Sequence, residues 1–327
     1  MPPPQCCRQA AALLWGAMLQ VVAGGFTLDD TVLLDDRVVR KAAGGNVLYA
    51  GVGTKLAGAH PALLALVGSD YPQENLDTLE SAGFSLDGCP HVHEPALHLW
   101  VLQEGPNQRQ LVNWIGSGTN EQLDPRPWHV PDHYLDADSL HVAGIPVDSQ
   151  GALVETFAAS GRVISLDAPH LPLDQSGREQ LEGLLASVTV FLPSQQEVGA
   201  VWSLEPVLES CRRLASFGPE VVVIKMGDAG SLVWSREMEQ GWHVPIYGTD
   251  VIDTTGAGDA FCGAFCATYT RTRDPRASAV IGTVAASFVI EEFGGLHALD
   301  APSSAVERRS GDVNEHVDVL EVTRGEA

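Results

Sequence analysis

The hydrophobic pattern is clearest in the C-terminal half of the chain, where short apolar runs alternate with longer amphipathic segments. Apolar runs of this length are typical of strands buried in a parallel sheet, and the segments between them are long enough to form crossover helices. The predicted strands are 140–143, 163–166, 188–192 and 221–224, and the predicted helices are 149–160, 178–185 and 208–217. This alternation predicts an α/β fold with helices on both faces of one mainly parallel sheet.

The N-terminal half combines two buried runs with a group of shorter, half-polar runs. Buried strands are predicted at 21–23 and 62–67, and helices at 47–57 and 73–82. The remaining runs, 31–34, 37–39, 97–102 and 111–114, are predicted as short strands, and the last two form a hairpin through Gly105-Pro106-Asn107. These runs predict a small β subdomain, over about 31–42 and 97–114, beside the main sheet.

A glycine-rich turn near the C-terminus carries the most specific chemistry in the chain. The apolar pair Val251-Ile252 before it is predicted as the end of a strand, and a helical pattern begins at Phe261. Gly256 and Gly258 allow backbone conformations that other residues avoid, and they let a ligand approach the chain closely. The first N–H groups of a helix have no intrahelical partner, so this turn predicts an anion-binding site.

Asp259 directly follows the turn, and two interpretations of it remain open. In the first, the carboxylate only favours the helix dipole and caps the helix. In the second, it is a general base that removes a proton from an attacking hydroxyl, while the amides hold the charge that develops on a phosphoryl group. The spacing alone does not decide between them.

The unbroken stretch Asp253-Thr254-Thr255-Gly256-Ala257-Gly258-Asp259-Ala260-Phe261 resembles the C-terminal signature of the ribokinase-like (PfkB) carbohydrate and nucleoside kinases. The resemblance implies a ribokinase-like three-layer sandwich, in which a mainly parallel central sheet is accompanied by a small, reduced β lid. It also implies that Asp259 is the catalytic base. The amides of Gly256, Ala257 and Gly258 would form the anion hole.

The same resemblance implies an acceptor-binding group in the N-terminal part. Asp29 follows a predicted strand and matches a family aspartate that binds the substrate, although aspartate is also a common turn residue. Gly44, Gly45 and Asn46 match the family's N-terminal signature, and capping of the following helix would explain Asn46 equally well. The asparagine that the family often has four residues after the second glycine is replaced by Tyr49, which suggests an unusual substrate pocket.

The resemblance further implies a nucleotide site in the C-terminal half. Lys225, Gly227 and Gly230 resemble the family's Lys-x-Gly-x-x-Gly turn, which lies near the nucleotide. Thr255 and Thr283 would complete this site. A strand-end lysine that is simply solvated, and a small residue that serves helix packing, are the corresponding structural alternatives.

Metal binding is implied at two positions. Glu197 keeps the glutamate of the family's Asn-x-x-Glu pattern, whose asparagine is Ser194 here, and it would hold Mg²⁺ through water. A surface glutamate at the start of a helix is the alternative. Asp253, together with nearby carbonyl groups, is implied in a site for a monovalent cation such as K⁺.

Charge and cysteine usage narrow the class of protein. The chain has 42 acidic and 19 basic residues and a formal net charge of −23, which argues against a nucleic-acid partner, because phosphate backbones require a basic surface. The six cysteines are scattered without a CxxC pair, which favours the reducing cytoplasm. No segment has the ~18 uninterrupted apolar residues of a membrane span.

The sequence is divided into a leader of uncertain order at 1–18, a kinase domain at 19–298 and an acidic tail at 299–327. The expected reaction is phosphorylation of a hydroxyl on a sugar or sugar-like small molecule by ATP with Mg²⁺, in a monomer or homodimer. A nucleoside kinase of the same family is one alternative. A catalytically inactive ligand-binding homologue is another, which the changes at Tyr49 and Ser194 keep open.

Overall fold

A computed structural model describes residues 18–34, 37–105, 108–158, 161–170, 173–202 and 206–320. The predicted leader lies almost wholly outside these ranges. The helices are α1 (Asn46–Leu56), α2 (Gln73–Ser81), α3 (Asn120–Leu123), α4 (Val147–Phe157), α5 (Gln175–Leu185), α6 (Gln195–Val201), α7 (Val207–Ser216), α8 (Ala257–Thr272), α9 (Pro275–Val289) and α10 (Ser303–Asn314). The strands are β1 (Leu19–Ala23), β2 (Thr27–Val32), β3 (Val38–Gly44), β4 (His60–Leu64), β5 (Ser85–Gly88), β6 (Leu97–Gly105), β7 (Gln108–Asn113), β8 (Ser139–Val142), β9 (Val163–Leu166), β10 (Val190–Phe191), β11 (Val221–Lys225), β12 (Ser231–Ser235), β13 (Gln240–Val244) and β14 (Asp318–Leu320).

The main sheet contains ten strands in the order β14-β13-β12-β11-β10-β9-β8-β1-β4-β5. The strands from β11 to β5 in this order run parallel, whereas β12, β13 and β14 are added antiparallel at one edge. The mainly parallel sheet expected from the alternation of strands and helices is therefore confirmed.

Both faces of the main sheet are buried, and each carries its own hydrophobic cluster. In β1, Val22 joins a cluster with Phe265 of α8 and Val284 of α9, whereas Val21 joins a cluster with Leu153 of α4 and Leu181 of α5. Neighbouring residues of a strand point to opposite faces. The helices thus form two layers around the sheet.

Helices α1 and α8 cross with their backbones in contact. A Cβ on Gly53 would overlap the carbonyl group of Ala260, and a Cβ on Gly263 would overlap that of Ala50. Such close packing leaves little room for the helices to shift. The N-termini of α1 and α8 are therefore held in a fixed relation to each other.

The second sheet has four strands in the order β3-β2-β6-β7 and forms the smaller β subdomain. Strand β2 pairs in parallel with β6, while the β2–β3 and β6–β7 pairs are antiparallel. The predicted hairpin is thus present, with its tip at 106–107 outside the described residues. Strand β2 begins earlier than expected, so Asp29 lies inside a strand of this sheet and not at the end of β1.

Two other expectations differ from the structure. Val251 and Ile252 are not a strand, and their side chains are 56 % and 48 % exposed; the backbone N–H of Ile252 donates to Ile290 O at 2.8 Å. The apolar pair was misread because β-branched residues also occur in exposed connections.

In the C-terminal segment, α10 packs on α9 and β14 extends the main sheet, so residues 303–320 belong to the folded domain. Within the described ranges, no helix is both long and apolar enough to cross a membrane.

Candidate active site

The glycine-rich turn is held in shape by its own residues and begins α8. Gly256 is the N-cap, with φ 77° and ψ −2°, a left-handed conformation that favours glycine. Asp253 is 5 % exposed, and its Oδ1 accepts hydrogen bonds from Thr255 N at 3.0 Å and Thr255 Oγ1 at 2.8 Å. Asp259 lies in the first turn of α8 and is partly buried. The geometry therefore places the N-terminal end of α8, with its positive helix dipole, beside a carboxylate.

Asp29 lies next to the start of α1. Its side chain is 5 % exposed, and its Oδ1 accepts a hydrogen bond from Thr27 Oγ1 at 2.7 Å. Gly44 leaves room for this carboxylate, because a Cβ at Gly44 would overlap Asp29 Oδ2. Asp30 points to the opposite face of β2, where it accepts bonds from Arg40 Nη1 at 3.0 Å and Lys41 N at 2.7 Å.

Asn46 is not the N-cap of α1, as the sequence suggested; Gly45 holds that position, with φ 102°. The side chain of Asn46 instead joins two strand ends. Its Oδ1 accepts from Gly25 N, just after β1, and its Nδ2 donates to Gly144 O, just after β8, both at 2.8 Å. The start of α1 is thereby fixed over the carboxyl edge of the parallel sheet, where ligands bind in such folds.

A cluster of charged residues lies under the first turn of α8, at the ends of β9 and β11. Lys225 Nζ donates to both carboxylate oxygens of Asp167, at 2.9 and 2.8 Å, and lies 3.2 Å from Cys262 Sγ. Burial opposes the charge on Lys225, but the negative charge of Asp167 raises the pKa of this lysine above its ordinary value. Burial, followed by Asp167, raises the pKa of Cys262, so this thiol stays protonated.

Glu197 lies in the first turn of α6 and caps that helix. It completes a capping box with Ser194, in which Ser194 N donates to Glu197 Oε2 at 2.6 Å and Glu197 N donates to Ser194 Oγ at 3.2 Å. Burial, and then the nearby charge of Asp167, raises the pKa of Glu197. Across the described ranges, no group of three or more His, Cys, Asp or Glu side chains could hold a metal ion by itself.

The remaining nucleotide-site candidates lie on two separate elements. Gly227 and Gly230, with φ 62° and 83°, form the tight connection between β11 and β12. Thr283 is 7 % exposed on α9, and Thr255 belongs to the turn before α8. Their contact with a nucleotide stays a prediction.

Sequence reasoning missed Asp167 and Cys262 as members of the charged cluster. Asp167 directly follows the predicted strand 163–166, and a carboxylate at a strand end was the signal that could have identified it. Cys262 has no local signal of this contact, because it lies within α8. Its neighbours come from β9 and β11, which no local pattern connects to α8.

The sequence of this chain is similar to those of known kinases. Residues 15–302 of the chain match the family described as pfkB family carbohydrate kinase. The chain is 27 % identical over 276 residues to the cytidine kinase of Thermococcus kodakarensis, with 84 % of this chain and 96 % of that protein covered. It is 26 % identical over 260 residues to the nucleoside kinase of Methanothermobacter thermautotrophicus, with 79 % and 81 % covered.

A solved structure shows that the fold of this chain is also similar to that of a known kinase. The ribokinase of Arabidopsis thaliana in complex with ribose and ATP superposes with a TM-score of 0.68 at 19 % identity, and the match covers 90 % of this chain and 98 % of that one. The predicted ribokinase-like fold, including the smaller sheet, is therefore confirmed.

Proposed function

Because this chain belongs to the pfkB family of carbohydrate kinases, it is a phosphotransferase that acts on hydroxyl groups, and we propose that it transfers the γ-phosphoryl group of ATP to a nucleoside or a sugar. Relatives that are named cytidine kinase and nucleoside kinase match most of this chain. Nucleosides are therefore the first acceptors to test, and free sugars follow. A bound ATP in a solved structure of the same fold supports ATP as the donor.

The observation that carries the proposal is the arrangement at the start of α8. The N-terminal end of α8 and its helix dipole stabilise negative charge there. Lys225 adds a positive charge, since a Cβ on Gly258 would lie 3.6 Å from Lys225 Nζ. Asp259, in that same turn, can accept the proton of the attacking hydroxyl. Phosphoryl transfer needs mainly such positioning and electrostatic stabilisation.

The carboxylates near Lys225 fit a role in holding Mg²⁺. Asp167, directly after β9, and Glu197, in the first turn of α6, offer oxygen ligands near each other, and Mg²⁺ in such sites keeps several waters and binds the phosphates as well. When bound, the ion would neutralise charge on the phosphate oxygens. The involvement of Asp253 in a K⁺ site remains a proposal of the same kind.

On the acceptor side, we propose an uncharged substrate. A phosphorylated acceptor would call for cations near Asp29. Arg40 is committed elsewhere, because its guanidinium pairs with Asp30 on the other face of β2 and lies 5.2 Å from the ring centroid of Trp100.

The proposal is tested by measuring ADP release with Mg-ATP and a panel of nucleosides, sugars and ribose phosphates. The wild type should turn over with at least one uncharged acceptor. Asp259→Asn should lower kcat by about 10²–10⁴-fold, the usual contribution of a general base, while ATP binding is retained.

Asp274→Asn is the matched control for the capping interpretation. Asp274 caps α9 by accepting a bond from Ala277 N at 3.0 Å. If Asp259 served only as a helix-terminal charge, both variants would lose stability and neither would lose much activity. That outcome, or a wild type that no acceptor stimulates, would contradict the proposal.

A further inference from the structure

Tyr49 is a buried aromatic residue in the first turn of α1, and its ring lies against the glycine-rich turn. Its side chain is 2 % exposed. A Cβ built on Gly256 would overlap the Cγ, Cδ1 and Cδ2 atoms of Tyr49. The backbone of Gly256 therefore rests directly on the ring, in the left-handed conformation that starts α8.

A second glycine packs on the same ring from the segment after α9. A Cβ on Gly295 would lie 2.8 Å from Tyr49 Cδ1 and 3.0 Å from Cε1. This segment is also tied to the turn, because Ile290 O accepts hydrogen bonds from Ile252 N at 2.8 Å and Asp253 N at 3.3 Å. One ring thus contacts both the turn and the segment to which the turn is bonded.

The backbone that carries the ring of Tyr49 is also held in place. Tyr49 N donates to Gly45 O at 3.2 Å, within the first turn of α1. Farther along, α1 and α8 are in backbone contact at Gly53 and Gly263. The ring therefore cannot shift without moving either the start of α1 or the turn before α8.

We propose that Tyr49 is a positioning residue for phosphoryl transfer, whose aromatic ring holds Gly256 and the following amides in the geometry that stabilises the transferred group. The inference rests on the proposed function and adds a residue to it. The contacts with Gly256 and Gly295 are made by ring carbons, which assigns the positioning role to the ring. A misplacement of about 1 Å in such a site can cost about 100-fold in rate.

The first test compares Tyr49→Phe and Tyr49→Leu with Phe265→Leu in the assay that identifies the acceptor. Phe265 is a fully buried aromatic residue of α8 that stacks on Phe261 and Tyr269, away from the turn. Tyr49→Leu should lower kcat by about 10–100-fold, with smaller changes in the KM values. Tyr49→Phe should stay within about threefold of wild type. Phe265→Leu should lose thermal stability to a similar extent as Tyr49→Leu, with kcat within about threefold of wild type.

A double-mutant cycle supplies a readout that general destabilisation would not move. Gly256→Ala adds a Cβ that overlaps the ring in the wild type, an overlap that a Tyr49→Ala background removes, whereas the strain of a Cβ at φ 77° is the same in both backgrounds. The Gly256→Ala substitution should therefore lower kcat by a larger factor in the wild type than in Tyr49→Ala, a coupling expected only for groups in contact.

Each result bears on a different part of the proposal. Equal kcat losses in Tyr49→Leu and Phe265→Leu, or additive effects in the cycle, would overturn the positioning role while leaving the kinase intact. A Tyr49→Phe variant as impaired as Tyr49→Leu would assign the effect to the hydroxyl and overturn the role of the ring. A wild type without turnover would instead overturn the proposed function itself.

Discussion

The turn before α8 and the four-stranded sheet carry the two halves of the proposed active site, and they are held very differently. The turn rests on a buried ring, is bonded to the segment after α9, and lies over the paired charges of Asp167 and Lys225. In the four-stranded sheet, by contrast, β7 and the residue pair after it are largely in solvent, and Ile115 is 103 % exposed. The phosphoryl-transfer side of the proposed site is thus built into the core, whereas the proposed acceptor side lies on a sheet in which β2 is buried and the far edge, β7, is exposed.

This difference fits the two tasks. Charge stabilisation depends on groups that are already in place when the charge develops. An acceptor site on a thin sheet can be covered and uncovered as substrate enters and leaves. Four experiments test this difference, and their expected effects decrease from the first to the last.

The largest effect is expected from breaking the buried ion pair. Lys225 and Asp167 side chains are only 14 % and 9 % exposed, and they lie 2.8 Å apart. Lys225→Met leaves the Asp167 carboxylate buried without its cation, which should lower the free energy of unfolding by about 3–5 kcal/mol. Denaturant unfolding measures this, with the exposed Lys41→Met as control. If the free energy of unfolding falls by less than about 1 kcal/mol, this ion pair does not hold the phosphoryl-transfer side of the site in place.

The second expectation concerns His141, which lies in β8 beneath α8. The ring is fully buried, its Nδ1 is hydrogen-bonded to Ser165 Oγ at 2.8 Å, and burial lowers its pKa to about 4 from 6.5. Between these values the unfolded state binds more protons, so the contribution of His141 to stability is complete above pH 6.5 and is lost as the pH falls towards 4.

The stability difference between wild type and His141→Asn should therefore shrink by about 3 kcal/mol between pH 6.5 and pH 4. Comparing the two proteins at each pH is necessary, because burial raises the pKa of Asp124 to about 6 and this acts in the opposite direction. The exposed His93→Asn serves as control. A difference that does not change with pH would show that His141 is not buried in its neutral form.

The third expectation separates the two faces of β2. Asp29→Asn should raise the KM for the acceptor by about 10–100-fold, since a hydrogen bond to a charged group contributes about 1.5–3 kcal/mol. The KM for ATP should change little. Asp30→Asn removes the charge that pairs with Arg40 and changes the bond from Lys41 N, both on the opposite face of β2. Both KM values should therefore stay near those of wild type. Equal effects of the two variants would remove Asp29 from the acceptor site.

The smallest effect is expected at the exposed end of the four-stranded sheet. Ile115→Ser changes a side chain that lies in solvent, so the free energy of unfolding should stay within about 0.5 kcal/mol of wild type. Thermal unfolding measures this. A clear loss of stability would show that this end of the sheet is covered in solution.

Several elements were accessible from the sequence because their signals are local. The buried strands and the helices between them followed from hydrophobic periodicity, and α8 was located by its glycine turn. The strand at Val251-Ile252 was wrong, because two β-branched residues do not reveal whether a sheet partner exists. The N-cap of α1 was wrong as well, because Asn46 bonds to residues 25 and 144, far from it in the chain.

The sequence by itself determined the family, the α/β class and the turn that starts α8, since each depends on residues that are neighbours in the chain. Only the tertiary structure brought Asp167, Lys225 and Cys262 together and seated Gly256 on Tyr49. These contacts join strand ends and helices that are tens to hundreds of residues apart. Their geometry is set by how the layers pack, which no local pattern records.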